Sequence, residues 1–193
     1  MRILVTGFEP FDGRDVNTSW EAVRRLPRMI GNNQVVTKRI PVAFGSAMKA
    51  VAAAIDAQRP DAVISVGEAA TNNKVEIEYV AINVADATIA DNEGHKPVDE
   101  RLEADGPDGY FSTLPVKRIV SCLSDKGLPI GVSYSAGTFV CNSVMYSALH
   151  HGGTQQAGFV HVPLADEFNS KQTQHVLTLS EIVNVLIEVI KQL

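Results

Sequence analysis

Apolar and polar residues alternate along this chain in two rhythms. Arg2–Phe8 is a short apolar run ending at Gly7-Phe8, which predicts a buried strand. The Pro-, Asp- and Gly-rich stretch Glu9–Val16 reads as a loop leaving it. Thr18-Ser19-Trp20-Glu21 has capping-box spacing and predicts a helix running to about Leu26. A strand over Gln34–Val42 and an Ala-rich helix over Phe44–Gln58, closed by Pro60, come next. Asp61–Val66 reads as a third strand. Lys74–Asn83 reads as a fourth, with Val75, Ile77, Tyr79 and Ala81 on one face and Glu76, Glu78, Val80 and Ile82 on the other. Asp86–Tyr110 has no period, and a stretch of that length is often functional. The rest predicts a helix over Val116–Lys126, a strand over Ile130–Ser135 and a helix over Phe139–His151. A strand over Phe159–Val162 and an amphipathic helix over Leu179–Leu193, with Ser180 as its cap, complete the chain.

Strands and helices thus alternate, the order of an α/β fold with a mainly parallel, mixed and twisted sheet between helix layers. Ligands of such sheets sit beyond strand ends, here Gly7-Phe8, Gly67-Glu68 or Ser135-Ala136-Gly137. At 193 residues one domain spanning 1–193 is expected, against a prior of roughly 150 residues per domain.

Composition narrows the function. The formal net charge is −5, from 17 Lys+Arg against 22 Asp+Glu, so the basic footprint of a nucleic-acid binder is missing. No run approaches the ~18 apolar residues of a membrane span. The start MRILVTGFEPFDG is too short in its apolar part for a secretion signal. Two cysteines are too few for a disulfide framework. A cytoplasmic, reducing location is therefore expected. There is no H-E-x-x-H, C-x-x-C, P-loop or G-x-G-x-x-G, so no metal and no cofactor is expected.

The segment SYSAGTFVCNSVMYSALHH passes from strand to helix through Gly137-Thr138. With Thr138 as N-cap, Cys141 falls in the first helical turn, where free N–H groups and the helix dipole favour a thiolate and an oxyanion. A buried structural thiol is the competing reading, since this helix is apolar nearly all round. Cys122, in mid-helix, reads as structural. A nucleophilic thiol needs a base. His161 closes a strand 20 residues after Cys141 and can return to the same sheet edge. His150 and His151 suit a helix C-terminus, while His95 and His175 lie in polar stretches. Glu76 and Glu78 share a strand face, and spacing alone does not say which would orient the imidazole.

Together these segments resemble the pyroglutamyl peptidase I family. The likeness runs through TGFEPFDG, NTSWEAV, VAIN and DNEGHKP to SYSAGTFVCN and GFVHVP. It implies a single-domain α/β/α sandwich and a cysteine peptidase removing N-terminal 5-oxoproline from peptides, with no metal or cofactor. The implied catalytic residues are Cys141, His161 and Glu78, which assigns the acid. Phe8 and Phe11 would line the ring pocket with Phe139 and Val140, and Asn17 would support the first loop. Homotetramers are also implied. One stretch departs: GEAATNN stands where the family shows G-Q-A-G-G-R, so Glu68 replaces Gln and Asn72 replaces Arg. A lost Arg charge would cost on the order of a few kcal/mol of barrier. Ala70-Thr71 would stiffen a loop built for glycine. Glu68 would add a negative charge favouring another N-terminal group. Cleavage of another small N-terminal amide, or mere peptide binding, is the alternative this departure raises.

Overall fold

The computed structural model describes residues 1–169 and 176–193. Among them, strands β1 (Arg2–Phe8), β2 (Met29–Ile30), β3 (Asn33–Ile40), β4 (Ala62–Glu68), β5 (Val75–Glu78), β8 (Ile130–Ser133) and β9 (Gln156–Val162) form one sheet, ordered β2-β3-β1-β4-β9-β5-β8. β1 pairs in parallel with β3 and β4, β4 with β9, and β5 with β8. Two junctions are antiparallel, β2 with β3 and β5 with β9. The sheet is therefore mainly parallel but mixed, as the alternation of elements predicts.

Among the described residues five α-helices cover it: α1 (Thr18–Val23), α2 (Phe44–Gln58), α3 (Val116–Asp125), α4 (Val140–His151) and α5 (Leu179–Ile190). Strand alternation divides the core into two layers. Ile3, Val5, Ile64, Val66, Val160 and Val162 face α1, α3 and α5. Leu4, Phe8, Val63 and Phe159 face α2 and α4. Burial of both sheet faces explains why the central strands read as continuous apolar runs.

Several local expectations are corrected. The Lys74–Asn83 strand breaks at Tyr79: β5 stays in the main sheet, whereas β6 (Val80–Ile82) pairs with β7 (Gly109–Phe111) in a separate antiparallel ribbon. Val75 and Ile77 keep the predicted common face, but Ala81 packs into the opposite core layer. The break follows from local pairing: the Tyr79 amide donates to Ser133 O, while its carbonyl accepts from the Ser112 amide. The cap of α1 is Asn17, whose side chain accepts from the Ser19 amide; Thr18 is already helical. α5 is capped by Thr178 in a reciprocal box with Glu181, two residues ahead of Ser180. Asp86–Tyr110 is irregular but anchored. Asp91, 7% exposed, accepts from the Phe44 amide at the start of α2 and from the amides of Glu93 and His95. His175 lies outside the described residues.

Candidate active site

Cys141 stands in the first turn of α4, as its position before the apolar helix predicts, but the cap differs. Phe139 occupies the N-cap position and supplies no side-chain hydrogen bond. Thr138 instead donates through Oγ1 to Asp86 O and accepts at its carbonyl from the Asp86 amide. The first-turn amides around Cys141 are therefore not engaged by a side-chain cap, and they carry the positive end of the helix dipole.

His161 lies near the end of β9, in register with Gly67 of β4 on one side and Glu76 of β5 on the other. Its Nδ1 meets Glu78 Oε1 at 2.6 Å. Cys141 lies close enough to the ring to act on it by its charge and by a side-chain hydrogen bond. Thiol, imidazole and carboxylate thus form one chain. Glu78 is 1% exposed and His161 8%, so the acid and the imidazole lie out of water, while Cys141 is half-buried. Burial by itself pulls the His161 pKa down. The negative charge of Cys141, the hydrogen bonds to Cys141 and Glu78, and the Glu78 charge outweigh it and raise the pKa from 6.5 to about 10. The imidazolium is therefore the resting form at neutral pH. Phe159, fully buried, supports the ring at 4.8 Å between centroids.

The two candidate acids separate by their partners. Both side chains leave the face opposite Val75 and Ile77. Glu78 reaches His161, whereas Glu76 accepts from Asn72 Nδ2 at 2.8 Å. Asn72 does not line the pocket that holds Cys141. Ala70 and Thr71 are not among the positive-φ residues, so that loop does not require glycine here.

Beside Cys141 opens a cavity of ≈ 160 Å³, lined by Phe8, Phe11, Arg14, Asn17, Val42, Glu68, Phe139 and Val140. The residues nominated from sequence for ring binding are all present. Phe11 and Phe139 pack at 5.4 Å, and Phe44 buttresses Phe139 edge-on at 5.2 Å. Asn17 ties the parts together: Oδ1 accepts from Ser19 Oγ and the Ser19 amide, and Nδ2 donates to Glu9 O. Ser19 Oγ in turn accepts from the Phe8 amide. Asn92 holds the same loop from the other side, donating to Glu9 Oε1 and Pro10 O.

Sequence reasoning did not nominate Arg14, Val42 or Phe159. Arg14 pairs with Glu68, so the extra negative charge expected from Glu68 is taken up within the protein. Arg14 carried no signal beyond the Asp-Gly turn before it. Among the described residues no group of three or more His, Cys, Asp or Glu side chains could hold a metal ion, and no helix is long and apolar enough to cross a membrane.

A thiol at an uncapped helix start beside a buried His–Glu pair on an α/β sheet has the arrangement of nucleophile, base and orienting acid that cysteine hydrolases use. The family model described as pyroglutamyl peptidase matches residues 1–192. The chain belongs to the pyroglutamyl peptidase family. It is 50% identical over 169 residues to the pyrrolidone-carboxylate peptidase of Erwinia tasmaniensis, covering 86% of this chain and 79% of that one. It is 42% identical over 195 residues to that of Thermococcus onnurineus, covering 99% and 98%. The crystal structure of Bacillus amyloliquefaciens pyroglutamyl peptidase I superimposes with a TM-score of 0.91 at 38% identity, covering 97% of this chain and 94% of that one.

Proposed function

We propose that this protein removes an N-terminal 5-oxoproline residue from peptides through a thioester on Cys141. The reading is carried by the Cys141–His161–Glu78 hydrogen-bonded chain at the mouth of a small aromatic pocket. A cavity of ≈ 160 Å³ lies below the volumes that hold drug-sized ligands, and suits one small ring. Its aromatic lining suits an uncharged one.

In this reading the Cys141 thiolate attacks the carbonyl carbon of the pyroglutamyl residue. The first-turn amides of α4 stabilise the oxyanion. The tetrahedral adduct collapses, the C–N bond breaks, and His161 delivers its Nε2 proton to the leaving amine. Neutral His161 then takes a proton from water, whose oxygen attacks the thioester. Release of 5-oxoproline restores the thiolate–imidazolium pair. Glu78 accepts from Nδ1 throughout, fixing ring orientation and favouring the charged imidazole. The balance closes without a metal or cofactor. We further infer a cytoplasmic protein of one domain over residues 1–193, acting on peptides as a homotetramer. These rest on composition and family resemblance.

The test is fluorophore release from a pyroglutamyl-amide reporter by wild type and Cys141→Ala. Release by wild type that vanishes in the variant is expected. A folded wild type that leaves the reporter intact would overturn the reading and turn the search toward other N-terminal amides.

A further inference from the structure

The departure from the family pattern at GEAATNN puts a carboxylate on the wall of the cavity beside Cys141. The Glu68 side chain is 2% exposed. Its Oε2 accepts from the Thr18 amide at 2.8 Å, and its Oε1 meets Arg14 Nη1 at 2.5 Å. Arg14 reaches it from the facing loop. The Arg14 amide donates to Phe11 O, and the two residues between them, Asp12 and Gly13, have φ of 56° and 70°. Two left-handed central residues make a type I′ turn, which Asp-Gly favours. The turn folds Arg14 back beside Phe11, so one four-residue unit supplies both an aromatic wall and a cation to the cavity.

A buried carboxylate is costly unless it is paired. Left alone on a cavity wall, it draws a cation into the cavity. The 5-oxoproline ring is neutral, whereas a proline ring of the same size carries a protonated amine at neutral pH. Size does not separate the two rings, so charge must.

We propose that Arg14 and Glu68 act as one specificity-determining unit, in which Arg14 cancels the charge of Glu68 so that the cavity accepts an uncharged lactam ring and rejects a cationic ring of equal size. The proposal rests on the cavity being the ring-binding site of the function proposed above. It also accounts for how a Glu stands at position 68: the compensating charge, on Arg14, is in direct contact with it.

The experiment is an NMR titration of the folded protein with 2-pyrrolidone, the neutral ring, and with L-prolinamide, the cationic one. The variants are Arg14→Met, Arg14→Lys, Glu68→Gln and the double variant Arg14→Met/Glu68→Gln. Arg14 is 37% exposed, so the loss is set between that of a surface pair and a buried one, roughly tenfold. Arg14→Met is expected to weaken 2-pyrrolidone by about that factor and to tighten L-prolinamide. Arg14→Lys should stay near wild type, and the double variant should recover the preference for the neutral ring. Unchanged affinities in Arg14→Met, or a double variant no closer to wild type than Arg14→Met, would overturn the proposal. Should Arg14→Met fail to fold, Glu68→Gln decides: weaker L-prolinamide binding with 2-pyrrolidone retained supports the unit, and unchanged L-prolinamide binding overturns it. Ring binding is read without turnover, so failure of the pyroglutamyl reporter and failure of this proposal are separate results.

Discussion

A Cβ placed on Gly67 would stand 2.9 Å from Cys141 Sγ and 2.7 Å from Phe159 Cζ. The end of β4 therefore passes directly beneath the sulfur, and only glycine leaves it room. Phe159 is fully buried and packs at a tilt against His161, so it has no space to retreat. Gly67→Ala is expected to cost about 1–3 kcal/mol of stability and most of the reporter activity. Gly45→Ala, where nothing lies within 4 Å, is the control and should be neutral or mildly stabilising. Thermal melts and reporter assays on the two variants check this. Equal behaviour would show that the close approach has no consequence.

Glu78, acting with Cys141 on His161, is expected to hold up the alkaline edge of activity. The His161 pKa is raised from 6.5 to about 10. A raised pKa in the folded state means that the native protein holds this proton more tightly than the unfolded chain. The associated stabilisation is complete below about pH 6.5 and is lost as pH rises through about 10. Glu78→Gln keeps the shape but removes the charge, so the imidazolium should titrate at lower pH. The alkaline limb of kcat/KM should shift down with it, and the rate at neutral pH should fall on the order of 10²-fold. NMR titration of the His161 ring beside a pH–rate profile reads both. An unmoved ring titration would show that the carboxylate does not hold the charge.

Asn17 joins three elements: the α1 cap, the Phe8 end of β1 and the Glu9 carbonyl of the pocket loop. Asn17→Ala should cost about 1–2 kcal/mol as a lost cap. It should also raise KM for the reporter more than it lowers kcat, because the loop it restrains carries Phe11 rather than the thiol. Asn17→Asp keeps the cap but not the donor to Glu9 O. It should recover the cap's share of the stability only, since a carboxylate oxygen then faces Glu9 O, and it should not restore KM. Recovery of both by Asp would show that the donor to Glu9 is not needed.

The layered α/β fold was legible because both faces of the sheet are buried, and the central strands then read as unbroken apolar runs. Helix starts were less legible. Asn17 and Thr178 serve as caps in place of the Thr18 box and Ser180, because each neighbouring Asn, Ser or Thr can accept a local amide and the pattern does not rank them. The break at Tyr79 had no sequence signal at all: alternation continues through it, and only the partners Ser133 and Ser112 redirect the chain.

For the site, the sequence by itself determined which residue types were available and where each could act. Cys141 had to open a helix, His161 had to end a strand, and Glu76 and Glu78 had to leave the same strand face, because helical and pleated periods are properties of the local chain. The tertiary structure decided what met what. Antiparallel pairing of β5 with β9 sets Glu76 level with His161 in the backbone, yet it is the side chain of Glu78 that reaches the imidazole, while Asn72 occupies Glu76. The same applies to Arg14 and Glu68, 54 positions apart and without any shared pattern. Their pairing depends on an Asp-Gly turn folding one loop back over the end of another strand. Contacts of that kind are set by how strands are ordered in the sheet, which no local period encodes.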